Sequence, residues 1–194
     1  MELHTLGILV FSILSILVII KNLYIKIYDY SFLWFCEFAP FLFLIGFLIN
    51  DNNLINALIN IGFLPQLLIS VLLIQGMVSN VDLIEAKSYI KNGKFHTLFM
   101  LIIHIIPVNL ALLLTYHQTP DHLSLVYTFI IITLMFAATL IIAPKKENIN
   151  LVYYVNVSDK NKTKKIKLPF HTPLWIPYTF ILAWITYLML IAIR

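Results

Sequence analysis

Two ionisable side chains lie inside strongly apolar segments: Glu37 in FLWFCEFAPFLF and His104 in FMLIIHIIPVNL. A charge at the centre of a membrane helix costs about 2.5–3.5 kcal/mol on insertion scales, so such residues usually face protein or water. Each is followed three positions later by a proline, Pro40 or Pro107. Carboxyl and imidazole groups can perform general acid–base catalysis or relay protons. We therefore take His104 and Glu37 as candidate catalytic residues, with interhelical packing as an alternative of equal weight.

Other polar residues accompany this pair. Gln66 and Asn109 lie within apolar segments, and Glu147, Asn148 and Asn150 form the ENIN stretch after another one. We interpret these five as substrate-binding candidates that line a polar pocket open to the cytoplasmic side. The alternative is hydrogen bonding between helices, which contributes about 0.6 kcal/mol per residue in membranes.

The composition indicates that a lipid bilayer surrounds these residues. The chain has 194 residues, of which 61% are hydrophobic and 11% charged, with a mean hydropathy of +0.93. Soluble domains are roughly half apolar and a quarter charged. A water-soluble fold of this length could not bury so much apolar surface. The single cysteine, Cys36, excludes an internal disulfide.

Six apolar stretches are long enough to cross a hydrocarbon core of roughly 30 Å. They lie near residues 4–20, 31–49, 54–75, 97–115, 123–143 and 174–193. All the lysines then fall in loops 1, 3 and 5, and Arg194 falls on the opposite face. Because cytoplasmic loops carry the excess of Lys and Arg, we predict that these three loops are cytoplasmic and both termini lie outside the cell membrane.

The predicted fold class is an all-α integral membrane protein, with a six-helix bundle and a cytoplasmic β-hairpin between helices 5 and 6. The hairpin is predicted because LVYYVNV and KTKKIKL, which favour β-strands, flank the turn-prone SDKN. Loop 3 is amphipathic and could hold an interfacial helix. Residues 1–194 form a single transmembrane domain, without an internal repeat or a linker.

Several other chemistries lack their motifs. The sequence has no Gly-rich phosphate loop, nucleophile elbow, CxxC or HExxH. His117, Asp121 and His122 do not have the spacing of a recognised metal site. We expect no metal, no cofactor and no nucleic-acid partner. Membrane lipids are the expected partners, and the 144–173 loop could hold a second copy or another protein.

Four stretches together resemble an uncharacterised family of six-helix bacterial membrane proteins: FLWFCEFAPFLFLIGFL, FLPQLLISV, FMLIIHIIPVNLALLL and ENINLVYYV. That family has an LPQLLW-like, an FHxxLP-like and an ENINWV-like motif, and the similarity spans most of the chain. This sequence has Glu37 where the family has an amide, Ile69 where it has an aromatic residue, and Leu151 where it has Trp. The resemblance implies a plasma-membrane bundle without an assigned activity. Its motif positions are occupied by Pro65, Gln66, His104, Glu147, Asn148 and Asn150.

A looser similarity is to the androgen-induced type of multi-pass lipid hydrolases and to related membrane acyltransferases. They share the number of helices, a histidine in a middle helix and a late asparagine-rich segment. No nucleophile can be matched to them residue by residue.

Three functions follow from these observations. The leading hypothesis is a lipid-handling protein, with His104 as acid–base group and Glu37 as its orienting partner, since both lie roughly 10 Å deep from the cytoplasmic side. The first alternative is a proton-coupled transporter, although no repeat relates two halves of the chain. The second is a non-catalytic subunit or effector that assembles with partners.

Overall fold

The computed structural model describes residues 2–24, 30–78, 81–82, 94–145, 149–152, 155–159, 162–166 and 171–194. The helices are α1 (Leu3–Tyr24), α2 (Phe35–Leu48), α3 (Asn52–Val78), α4 (Lys94–Leu114), α5 (His122–Ile142) and α6 (His171–Ile193). Short 3₁₀ turns are η1 (Ser31–Leu33) and η2 (Ile149–Leu151), and the strands are β1 (Val81–Asp82), β2 (Val155–Asp159) and β3 (Lys162–Ile166).

Four of the described helices are long and apolar enough to cross a membrane, which identifies a membrane protein. They are Leu3–Leu23, Asn52–Leu72, His122–Ile142 and Thr172–Ile193. Helices lie at all six predicted places. Four of the described ones meet the length and apolarity of a span, whereas the apolar stretch of α2, Phe35–Leu48, and the one described in α4, Leu98–Leu114, are shorter. The 14 residues of α2 extend about 21 Å at 1.5 Å per residue, less than the roughly 30 Å of a hydrocarbon core.

The limits of α2 have local causes. Residues Ser31–Leu33 form η1, and Trp34 is extended, with φ −69° and ψ 132°. At the other end Asn50 adopts φ 54°, in the left-handed region that asparagine tolerates and that ends helices. The carboxylate of Asp51 then accepts bonds from the Asn53 and Leu54 amides at 2.9 and 3.1 Å. It thereby starts α3.

The predicted fold class, an all-α bundle with an isolated hairpin, is wrong about the β-structure. Strands β2 and β3 do pair as consecutive antiparallel strands, but they belong to a larger sheet. The described strands build a three-stranded antiparallel sheet in the order β1-β2-β3, and β1 comes from loop 3. Val81 pairs with Asp159 in it, and Val155 pairs with Ile166 at the far end of the β2–β3 ladder. An isolated two-stranded hairpin is only marginally stable in water, whereas a third strand covers one of its open edges. The sheet therefore joins the connection between α3 and α4 to the connection between α5 and α6.

Helix α3 is the central element and packs against α2, α4, α5 and α6, while α1 packs against α2 and α4. Between α1 and α2, the ring of Phe11 lies 4.9 Å from that of Phe43 and 5.4 Å from that of Phe47. The α3–α5 contact includes a bond of 3.4 Å from the Asn60 amide to the Thr128 hydroxyl. Small residues on α3, such as Ala57 and Gly62, let the neighbouring helices approach closely.

Gly62 provides a test of this packing. A Cβ at this position would lie 2.7 Å from Val108 Cγ2 and 2.8 Å from Phe35 Cε1. We expect Gly62→Val to lower the free energy of unfolding by about 1–3 kcal/mol, because overpacking forces its neighbours apart. Thermal unfolding in detergent measures this loss. The control is Leu67→Val, at an exposed position of the same helix, which should change stability by less than about 0.5 kcal/mol. Equal stability of the two variants would contradict the close α3–α4 contact.

Candidate functional site

The carboxylate of Glu37, at the start of α2, binds two residues from the end of α1. Its Oε1 forms an ion pair with the Lys21 ammonium, and its Oε2 accepts a bond of 3.0 Å from the Asn22 amide nitrogen. Lys21 also donates to Asn22 Oδ1 at 3.1 Å, which closes a triangle of three polar side chains. The ammonium lies 5.9 Å from the centre of the Phe99 ring of α4. The triangle therefore joins α1 to α2 and contacts α4.

Burial makes this ion pair energetically important. Lys21 is only 2% exposed and Glu37 only 4%. An unpaired charge at such a position would be costly, whereas two opposite charges in contact compensate each other when their remaining hydrogen-bonding groups are also satisfied. The bridging Asn22 and the Phe99 ring face meet part of this requirement. The ion pair itself carries no net charge.

His104 is not joined to Glu37. Its Nδ1 lies 2.7 Å from the carbonyl oxygen of Met100, one turn earlier on α4. In the described part of the chain no hydrogen bond or ion pair links the imidazole to the carboxylate, which is bound by Lys21 and Asn22. The two candidate catalytic residues therefore belong to separate polar positions.

The two amides predicted to lie inside the membrane differ in their surroundings. Gln66 is buried in α3, and neither its Nε2 nor its Oε1 has a partner among the described residues. Asn109 is exposed, and its amide nitrogen donates to the carbonyl of Ile105 on its own helix at 2.6 Å. Among the described residues, the bond of Asn109 therefore lies within its own helix and does not bridge two helices.

Asn150 has a clear structural role. It lies in η2 with φ 51°, and its side chain accepts from the Phe35 amide at 3.0 Å and donates to the Leu33 carbonyl at 2.9 Å. Its own carbonyl accepts from the Trp175 indole of α6 at 3.0 Å. Asn150 therefore fastens η2 to the start of α2 and to α6. The other two residues of the ENIN prediction, Glu147 and Asn148, lie outside the described residues.

A groove of about 460 Å³ lies beside the Lys21–Asn22–Glu37 triangle, between α1 and α2. Asn22 and Glu37 form its polar end, and the other lining side chains are apolar: Val18, Ile19, Leu23, Phe32, Phe38, Phe41 and Leu42. Ile19, Leu23 and Phe32 are exposed, so the groove opens at the outer surface of the bundle.

Arg194 organises a second polar cluster at the opposite end of the bundle. One guanidinium nitrogen donates to the Asn56 side chain at 2.9 Å and to the Gln118 carbonyl at 2.7 Å. The other lies 3.3 Å from the Thr115 hydroxyl and 3.5 Å from the Leu112 carbonyl. The end of α6 is thereby tied to the start of α3 and to the end of α4.

The sequence does not single out Lys21, Asn22 or Arg194 as site or structural residues. The two cations serve there only to set the topology, Lys21 in loop 1 and Arg194 on the opposite face. A pattern in the sequence does indicate that Lys21 could pair with Glu37. Lys21 follows directly after an apolar span, in IIKN, and Glu37 lies near the start of the next span, so the two residues are close to the same end of neighbouring antiparallel helices. No comparable signal in the sequence identifies the partners of Arg194, because they come from two segments far from it in the sequence, Asn56 in α3 and residues 112–118 at the end of α4.

Comparison of this chain with protein-family models, with curated proteins and with solved structures finds no match in any of the three. The resemblance to the six-helix bacterial family stays a prediction, and the geometry of the site carries the functional argument.

The ion pair gives a quantitative expectation. Lys21→Met or Glu37→Gln alone should lower the free energy of unfolding by about 3–5 kcal/mol, because each leaves the opposite charge buried without its partner. The double variant should lose clearly less than the sum of the two. Thermal unfolding in detergent measures all three, with Lys145→Met, at an exposed lysine, as the control. Additive losses would show that the two charges do not interact.

Asn150 and Asn109 form a matched pair for a second expectation. Asn150→Ala removes bonds to Phe35 and Leu33 and places alanine at a positive φ. We expect a loss of about 2–4 kcal/mol in unfolding free energy. Asn109→Ala removes only a bond within its own exposed turn and should cost less than about 1 kcal/mol. The same detergent unfolding assay compares them, and a smaller loss for Asn150→Ala than for Asn109→Ala would refute the fastening role.

Proposed function

We propose that this protein binds a membrane lipid in the groove between α1 and α2. The observation that carries the proposal is the lining of the groove, an apolar channel with Asn22 and Glu37 at one end. Its volume of about 460 Å³ lies within the range of roughly 300–1,000 Å³ found for small-molecule sites. An acyl chain would occupy the apolar part, and a headgroup would lie at the polar end.

Selectivity for the lipid would come from the polar end. An acyl chain gains little by moving from the bilayer to an apolar wall, since lipid tails are as apolar as the side chains. A headgroup hydrogen bond to Glu37 would be strong in this low-dielectric environment. A carboxylate offers about four lone-pair sites, and the Lys21 and Asn22 bonds account for two of them.

The charge balance favours a neutral headgroup with a hydroxyl donor. Lys21 already compensates the charge of Glu37, so a cationic headgroup would bring an uncompensated charge into the site. An anionic headgroup would meet the carboxylate, because Glu37 and not Lys21 lines the groove. A lipid with a free hydroxyl, such as a diacylglycerol, satisfies both conditions.

The proposal includes the orientation of the groove in the membrane. With the lysine-rich loops on the cytoplasmic side of the cell membrane, the polar end of the groove would face the cytoplasmic leaflet. The proposal includes binding and no catalytic step, because His104 does not line the groove. A proton relay from Glu37 to His104 is less favoured, because the carboxylate is held by Lys21.

Photoaffinity labelling in nanodiscs tests the groove. The probe is a diacylglycerol with a diazirine in one acyl chain. We expect Ile19→Trp, which fills the groove from an exposed position, to reduce labelling about tenfold, equivalent to 1.4 kcal/mol. Ile13→Trp is the matched control, because Ile13 is an exposed residue of the same helix outside the groove lining. Equal labelling of both variants and the wild type would refute lipid binding in this groove.

The headgroup is tested with the same probe after methylation of its hydroxyl. The wild type should prefer the free hydroxyl at least about tenfold, since a hydrogen bond to a charged group contributes roughly 1.5–3 kcal/mol. Glu37→Gln should reduce this preference, because the neutral amide is a weaker acceptor. If the wild type labels equally with both probes, the hydroxyl specificity is wrong even where Ile19→Trp still reduces labelling.

A further inference from the structure

Helices α3 and α4 are antiparallel neighbours. A Cβ on Gly62 would lie 2.7 Å from Val108 Cγ2, so the helices touch at that level. Arg194 binds Asn56, near the start of α3, and Thr115, directly after the end of α4, which brings these two helix ends together. From the Gly62–Val108 contact, increasing residue numbers on α3 and decreasing numbers on α4 therefore lead in the same direction.

One turn along this direction are Gln66 on α3 and His104 on α4. Residues four apart lie on the same face of a helix, about 6 Å apart along its axis. Gln66 is four positions after Gly62 and His104 four positions before Val108, so both are on the faces that meet. Both are buried, with exposed fractions of 4% for Gln66 and 6% for His104. Two buried polar side chains thus share one level of the interface between α3 and α4.

The hydrogen-bonding capacity of the Gln66 amide is unused among the described residues. Neither Nε2 nor Oε1 of Gln66 has a partner within the described chain. The Met100 carbonyl can only accept, so the bond of 2.7 Å places the proton of His104 on Nδ1. In a neutral ring Nε2 is then an acceptor. The interface therefore offers one amide donor group and two acceptors, and a buried polar group without a partner costs about 1–3 kcal/mol.

We propose that one water molecule bridges Gln66 and His104 between α3 and α4. It would donate one hydrogen to His104 Nε2 and the other to Gln66 Oε1, and accept a bond from Gln66 Nε2. These are three bonds, the usual number for a buried water. A direct bond from the Gln66 amide to the imidazole would satisfy His104 but leave Gln66 Oε1 without a donor. The hydration site is separate from the lipid groove, which neither residue lines, and it supplies the imidazole with a proton donor inside the membrane region.

Magic-angle-spinning NMR of the full chain in bilayers tests this hydration site. The protein carries ¹⁵N-labelled histidine, and the His104 ring signals are assigned by their loss in His104→Phe. Polarisation is transferred from water protons to the ring nitrogens. We expect rapid transfer to His104 Nε2 despite its burial, with the chemical shift of an unprotonated, hydrogen-bonded nitrogen. In Gln66→Leu the rate of transfer should fall about tenfold, the effect of losing one or two hydrogen bonds from the water.

Asn109→Leu is the matched control, because the described bond of this α4 amide is to its own helix. Transfer to His104 Nε2 in Asn109→Leu should be as fast as in the wild type. The signals of the other histidines report whether Gln66→Leu is folded. If Gln66→Leu is misfolded, the wild-type transfer to Nε2 decides alone. If the wild type shows no transfer from water to His104 Nε2, the proposal is overturned. A shift of the Nε2 resonance in Gln66→Leu would then indicate a direct bond between the two side chains. Unchanged transfer in a folded Gln66→Leu also overturns the proposal.

Discussion

The ion pair between Lys21 and Glu37 holds the first two helices together in surroundings where water cannot solvate either charge. In hydrocarbon, each buried polar group must find its partner within the protein. The pair meets this condition because Lys21 lies in the last turn of α1 and Glu37 in the first turn of α2. The two side chains therefore meet at the same end of these neighbouring helices. The same constraint explains why Asn22 bridges the pair and why the Phe99 ring lies against the ammonium. The groove takes its polar end from this arrangement.

A comparable constraint acts at the opposite end of the bundle. There the guanidinium of Arg194 occupies carbonyl and side-chain acceptors at the ends of α3 and α4. Carbonyls in the last turn of a helix have no partner within that helix, so a cation at this position both donates hydrogen bonds and opposes the helix dipole. Polar contacts thus fasten the two ends of the bundle, and the apolar packing around α3 fills the region between them.

The connections between helices also have structural roles. Asn150 uses its side-chain amide and its backbone carbonyl to link η2 to α2 and α6. Strand β1 from loop 3 pairs with β2 from the connection between α5 and α6. Because α2 is short and starts only at Phe35, the bond from its first amide to Asn150 fixes the position of Glu37 two residues later. The loops therefore influence the geometry of the groove.

The sequence by itself determined that this is a membrane protein with helices at six places, because apolar composition and span length depend only on local residues. It also identified Glu37, His104 and Gln66 as buried polar side chains, since polar residues within apolar runs are visible without a structure. Only the tertiary structure decided their partners. Glu37 pairs with Lys21 and not with His104, and Asn150 binds backbone groups instead of facing a pocket. The pairing of β1 with β2 likewise joins segments more than 70 residues apart. Such pairings depend on the distances between helices and on their rotation about their axes, which packing at residues such as Gly62 sets and which no local pattern contains.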